Sequence, residues 1–266
     1  MGQVIVVTSG KGGVGKTTST ANLGTGLALM RKKVVMIDTD IGLRNLDVVL
    51  GLENRIVYDL VDVVEGVCRL KQALIKDKRY ENLFLIPAAQ TRDKSAVSTE
   101  QMIKLCSELK EDFDYILIDC PAGIEQGFKN AIAGADLGIV VTTPEISAVR
   151  DADRIIGLLE ANEVKNPRLL VNRVRPDMVK RGDMMSIEDI IDILAIDLIG
   201  VVPDDANVVV STNRGEPAVT DPKSQAGRSY RDITQRIMGE DVPITDIVAE
   251  EGFIPKIRKM FGLKTT

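Results

Sequence analysis

The 266-residue sequence has no histidine and no tryptophan, and only four tyrosines and five phenylalanines. Without imidazole, His-ligated zinc, Ser-His-Asp or Cys-His catalysis and histidine proton shuttling are all excluded. The three cysteines, Cys68, Cys106 and Cys120, lie far apart and form no CxxC pair. A disulfide framework is therefore excluded, and a reducing, cytosolic setting is expected. No apolar run reaches the ~18 residues of a membrane span. The apolar start Gly2-Gln-Val-Ile-Val-Val7 lacks the basic region and cleavage site of a secretory leader. Val6 also stands where N-myristoylation requires Ser or Thr.

Hydrophobic residues make up 44% and charged residues 27%, a balance that excludes disorder and is enough for an unaided core. The length suits one large domain or two small ones. With 34 basic and 39 acidic residues the net charge is −5, so the chain as a whole is no polyanion binder.

Short β-branched runs alternate with longer helical patterns, which predicts an α/β fold with a doubly wound, mostly parallel sheet. The expected strands are Val4–Val7, Val34–Ile37, Leu83–Ile86, Tyr115–Ile118, Gly138–Thr142, Leu169–Val171 and Leu198–Val202. The expected helices are Thr17–Met30, Thr99–Lys110, Glu125–Ala133, Ser147–Glu160, Ser186–Leu194 and Gln225–Met238. No Pro/Gly/Ser-rich linker interrupts the chain before about Gly239, so residues 1–238 read as one domain. Charge then separates: residues 239–251 carry acids and no base, residues 252–266 bases and no acid. An acidic linker followed by a basic tail is expected.

After the first strand comes Gly10-Lys11-Gly12-Gly13-Val14-Gly15-Lys16-Thr17-Thr18, opening a helix. This is G-x-x-x-x-G-K-[ST], the phosphate-binding loop of P-loop NTPases. The glycines let backbone N–H groups converge on phosphate oxygens, and the helix N-terminus adds partial positive charge. Lys16 would reach the β- and γ-phosphates and the Thr17 hydroxyl would coordinate Mg²⁺, so a Mg²⁺-bound nucleoside triphosphate is the expected ligand. Gly10, Gly12 and Gly15 also spell the dinucleotide fingerprint G-x-G-x-x-G, with Asp38 where a ribose-binding acid would sit. Two features decide against it. Lys16-Thr17 follows the last glycine, and a second acid, Asp119, ends another apolar strand as a Mg²⁺-linked acid should.

Lys11 is not needed to fold the loop, because Lys16 already supplies the phosphate contact. An added cation there is suited to stabilising transition-state charge, in trans across a dimer. Asp38 and Asp40 follow the second strand, Asp40 being the better placed to orient an attacking water. Asp119-Cys-Pro-Ala-Gly123 forms a second switch, with Asp119 reaching the metal through a water. Cys120 is expected to be a small buried residue, since an iron–sulfur site would need a differently placed cysteine pair.

The loop Lys11-Gly-Gly-Val-Gly-Lys-Thr-Thr18 resembles the deviant Walker A family of dimerising ATPases. Further segments are similar to the septum-site-determining branch of this MinD/ParA family. They are Gly42-Leu-Arg-Asn-Leu-Asp47, Asp119-Cys-Pro-Ala-Gly-Ile-Glu125, the stretch from Pro144 to Arg154, the stretch from Arg181 to Asp189, and Asn213-Arg-Gly-Glu-Pro217. The similarity runs over essentially the whole chain, with Cys120 standing where many relatives have Ser. It implies that Lys11 through Thr18 hold nucleotide, and that Asn172, Pro203 and Asp205 hold adenine. Asn offers a donor and an acceptor to a base edge; for Asp205 a plain turn residue remains the competing reading. It places Glu145, Asp151 and Asp153 near a dimer and partner face, although a solvated helix face would look the same. The partners implied are a second copy of the chain, the division inhibitor MinC and the regulator MinE.

In the tail, Phe253, Ile254, Ile257, Met260 and Phe261 fall within an arc of roughly 120° on a helical wheel. Lys256 flanks the arc, and Arg258 and Lys259 lie outside it. The segment is too short to span a bilayer but suits the headgroup interface of an anionic membrane. The competing reading is a C-terminal helix packed on its own domain. The expected activity is therefore ATP hydrolysis coupled to dimerisation and to peripheral attachment at the cytoplasmic face of the inner membrane, with no nucleic acid partner. A ParA-like DNA-partition ATPase is the alternative, but it needs a basic body, and outside the tail this chain is −9. A metabolic P-loop kinase would need an acceptor pocket that no motif marks.

Overall fold

The computed structural model describes residues 2–93 and 96–244. Eight strands form one sheet: β1 (Gln3–Thr8), β2 (Val34–Asp38), β3 (Ile75–Lys76), β4 (Leu83–Ile86), β5 (Tyr115–Asp119), β6 (Leu137–Thr142), β7 (Arg168–Val174) and β8 (Asp197–Pro203). The helices are α1 (Lys16–Leu29), α2 (Leu46–Leu50), α3 (Leu60–Val64), α4 (Leu70–Ala73), α5 (Thr99–Asp112), α6 (Gln126–Ile132), α7 (Ile146–Ala161), α8 (Pro176–Arg181), α9 (Ile187–Leu194), α10 (Ala206–Asn213) and α11 (Gln225–Ile237). Strand order is β3-β4-β2-β5-β1-β6-β7-β8, parallel throughout except for β3 against β4.

All seven expected strands form. They are buried on both faces and so read as continuous apolar runs; Val4, Ile5, Val6 and Val7 are wholly inaccessible. Each such side chain contributes about 1.5–3 kcal/mol by leaving water. One core cluster lies on the face covered by α3, α5, α6, α7 and α9, and a second on the face covered by α1, α2 and α11. The chain winds from β1 to β2 on one side and crosses to β6 on the other. That reversal puts a crevice at the carboxyl ends of β1, β2 and β5, where doubly wound sheets bind ligands.

Two expectations are corrected. The apolar run predicts a strand that ends at Val171 with Asn172 after it, whereas β7 continues to Val174. The register with β8 shifts between Val171 and Val174, and Arg173 takes φ 57° and is exposed, so a bulge breaks the apolar run that marks the strand. Helices α2, α3, α4, α8 and α10 were not foreseen either. The tail residues Phe253 to Phe261 lie outside the described residues, as does most of the acidic linker.

Candidate functional site: a phosphate-binding crevice

The loop after β1 is built from backbone that only glycine holds cheaply. Gly13 and Gly15 have φ 80° and 98°, and a side chain on Gly13 would enter open space. The Ser9 hydroxyl donates to the Lys11 carbonyl at 2.8 Å, closing the loop's first turn. Gly10 lies so near the Asp151 carbonyl of α7 that no side chain fits. α1 then starts at Lys16 with no side-chain cap and no acid in its first turn. Its first N–H donors therefore face the crevice without an internal acceptor, a cradle that fits an anion. Lys16 is buried at this point.

Behind the loop, Asp38 and Asp119 face each other in register on neighbouring strands, each about 1% exposed. The Asp38 carboxylate accepts from the N–H groups of Asp40 (2.9 Å), Asn45 (3.1 Å) and Leu46 (3.2 Å), so it shapes the loop that follows it. Burial outweighs those bonds and pushes Asp38 up to about 6. Burial, reinforced by the neighbouring Asp38 charge, pushes Asp119 up to about 7, against the Thr17 and Thr20 hydroxyls and the Lys16 charge. Two buried carboxylates that resist ionisation together suit a divalent cation, whose charge would restore both anions. Thr17 and these two acids would suit Mg²⁺ as the bound cation. Asp40 is half-buried beside them, with its N–H fixed by Asp38.

Thr20 was missed by sequence reasoning. Its hydroxyl donates to Asp119 at 3.3 Å and to the Lys16 carbonyl at 3.0 Å, and its spacing of three from Thr17 on α1 was the available signal. Thr39 was also missed; its hydroxyl donates to the Asp119 carbonyl at 2.6 Å. Cys120 is buried as expected, its thiol pushed up to about 12 by burial.

Lys11 reaches across to α7. Its ammonium meets Ser147 Oγ at 3.2 Å and Glu145 at 3.6 Å, at the start of α7. Glu145 and Asp153 are exposed and Asp151 half-buried, with Asp151 3.7 Å from Arg154. The structure thus brings Lys11 and Glu145 together on one surface.

The three residues expected around adenine stand near the ends of β7 and β8. Asn172 donates from its side-chain amide to the Val14 carbonyl at 2.8 Å, and the same amide nitrogen abuts Gly15. It braces the phosphate loop from β7. Pro203 ends β8, and Asp205 caps α10 through the Asn207 N–H at 2.8 Å. The other Asp205 oxygen takes the Ser224 hydroxyl (2.7 Å) and the Ala226 N–H (3.1 Å). Burial works against ionisation of Asp205, but these bonds together hold it below the ordinary carboxylate value.

Residues 5–218 match the CobQ/CobB/MinD/ParA nucleotide binding domain. The chain belongs to this family. It is 60% identical to the septum site-determining protein MinD of Bacillus subtilis, over all of both chains. Among solved structures it is similar to the MinC:MinD cell division protein complex of Aquifex aeolicus. There the TM-score is 0.85 and identity 52%, over 91% of this chain and 98% of that one. It also resembles the septum site-determining protein of Pyrococcus horikoshii, complexed with Mg-ADP. That match has a TM-score of 0.81 and 29% identity, covering 91% of this chain and 100% of that one. Most of the chain is therefore a nucleotide-binding domain of this family, and the fold is the P-loop NTPase fold that the sequence predicts.

Proposed function

We propose that this protein is a division-site ATPase whose nucleotide state decides whether it sits on the membrane. It binds Mg-ATP, pairs face to face with a second copy, docks two basic tails on the cytoplasmic face of the inner membrane and recruits a division inhibitor. Hydrolysis separates the pair and releases it. The observation that carries this reading is the full-length 60% identity to a septum site-determining protein. A MinC-type inhibitor as partner is supported by the solved complex of the Aquifex relative, and a MinE-type regulator by family resemblance.

The chain's own residues account for the steps. The N–H groups of α1 and the Lys16 ammonium hold the phosphates. Thr17, with Asp38 and Asp119 behind it, would hold Mg²⁺, which supplies charge neutralisation at the phosphates. Asp40 orients the attacking water. Lys11 leaves Glu145 and Ser147 for the partner's phosphates. That exchange is cheap, because a half-exposed ion pair is worth about 0–1 kcal/mol.

Light scattering with ADP and with ATP, beside sedimentation with anionic vesicles or with duplex DNA, tests the whole cycle. The expected result is a mass doubling with ATP alone and vesicle binding only in ATP. ATP-dependent sedimentation with DNA instead of vesicles would overturn it in favour of a partition ATPase.

A further inference from the structure

Helices α2 and α10 both start at the nucleotide end of the sheet. α2 begins at Leu46, whose N–H, with that of Asn45, is held by Asp38. α10 is capped by Asp205, two residues beyond the end of β8. The two helices finish side by side. Gly51, which ends α2, and Gly215, just beyond α10, both have left-handed backbone, φ 66° and 65°. A Cβ on Gly215 would lie 2.5 Å from the Gly51 Cα, so a side chain there would part the helix ends.

Arg79 spans this junction. Nη2 donates to the Leu50 carbonyl and Nη1 to the Gly215 carbonyl, both at 2.8 Å. Nη2 also pairs with the buried Asp77 carboxylate at 3.2 Å. Asp77 is fixed in turn by the N–H groups of Arg79 (2.6 Å) and Tyr80 (3.1 Å), in the turn between β3 and β4. A guanidinium rooted at the sheet edge thus holds the carbonyl ends of both helices, where a cation is favoured.

We propose that Arg79 is a positioning residue. Acting through α2, it fixes the loop of Asp38 and Asp40 against the phosphate loop. Acting through α10, it ties that loop to the Pro203–Asp205 side of the crevice. The effect on turnover rests on the proposed ATPase reading; the effect on the loop does not. A one-turn helix such as α2 has too few internal bonds to hold its own position.

The experiment compares Arg79→Gln, Arg79→Lys and Gly215→Ala with wild type. Amide exchange is read first, without nucleotide. In Arg79→Gln, Asn45 and Leu46 should exchange about tenfold faster while β1 amides keep their protection. The maximal rate at saturating ATP should fall roughly tenfold with KM within about twofold, the cost of misplacing a reacting group. Arg79→Lys, which keeps a cation and one carbonyl contact, should recover part of the loss. Gly215→Ala should reproduce the defect with Arg79 intact, so the idea stays testable if Arg79→Gln folds poorly. Unchanged protection at Asn45 and Leu46, or protection lost equally across the sheet, would overturn the proposal. Loosening of the loop with normal turnover in both variants would overturn its catalytic half. A wild type without ATPase activity would sink the functional reading, yet the exchange result would still decide the positioning role.

Discussion

At the scale of single residues, the paired acids Asp38 and Asp119 make the protein's stability depend on pH in an unusual direction. Both are raised from an unfolded value near 3.8, to about 6 and about 7. Between pH 4 and 7 the folded chain therefore binds more protons than the unfolded chain. Stability from this pair is fully present below the unfolded value and is lost as pH rises through the folded values. Asp119→Asn should flatten that decline in nucleotide-free protein, measured by denaturant unfolding at pH 5 and pH 7.5. An unaltered slope would mean that the pair ionises as ordinary surface acids do. Affinity for a divalent cation should run the other way, rising with pH as the carboxylates become available. Lys11 makes a second residue-scale case. Lys11→Ala keeps Lys16 and the cradle, so it should still bind ATP, but hydrolyse it roughly 10²-fold more slowly, the loss expected for one charge aimed at the transition state. Equal turnover in mutant and wild type would end the idea that Lys11 acts across a dimer.

At the scale of elements, what could be read from the sequence was whatever is local. The phosphate loop occupies nine consecutive residues, and a buried parallel strand is a continuous apolar run, so both were legible. β3 has two residues, and α2, α3 and α4 have four or five, too short for a 3.6-residue period to show. Contacts between distant elements were invisible for a different reason. The Asn172 bond to Val14 spans 158 positions, and nothing in either neighbourhood announces it. That bond suits Asn172 to a bracing role beside the adenine contact that the resemblance implies. As a brace it should matter to any phosphate ligand: Asn172→Ala should weaken binding of ADP and of inorganic triphosphate alike, by about fivefold for one buried hydrogen bond. Calorimetric titration with both ligands separates the readings. Loss of ADP affinity alone would favour the adenine contact.

At the scale of the whole molecule, the nucleotide helix and the chain leading to the tail share one wall. α11 packs on α1, with Tyr230 and Ser19 hydroxyls 3.1 Å apart, and Arg236 donates to the carbonyls of Ile199, Val242 and Pro243. The tail itself adds four bases to a body of −9. Each base is worth about 1 kcal/mol near anionic lipid, so one tail alone binds weakly. Two tails held in one dimer can gain roughly 10²–10⁴ in avidity without a new lipid contact. On the proposed reading, dimerisation would then be enough to switch attachment on. Phe261→Glu would place a charge in the middle of the apolar arc that the sequence predicts for the tail, where it is costly to bury and is repelled by anionic headgroups. Both described core clusters are built from residues up to Met238. Folding, ATP binding and ATP-dependent pairing should therefore survive while vesicle binding collapses. A tail helix packed on its own domain demands the reverse, a lower melting temperature with little change in lipid binding. Melting curves beside vesicle co-sedimentation in ATP separate the two, and a variant that melts early yet still sediments with vesicles would refute the membrane anchor.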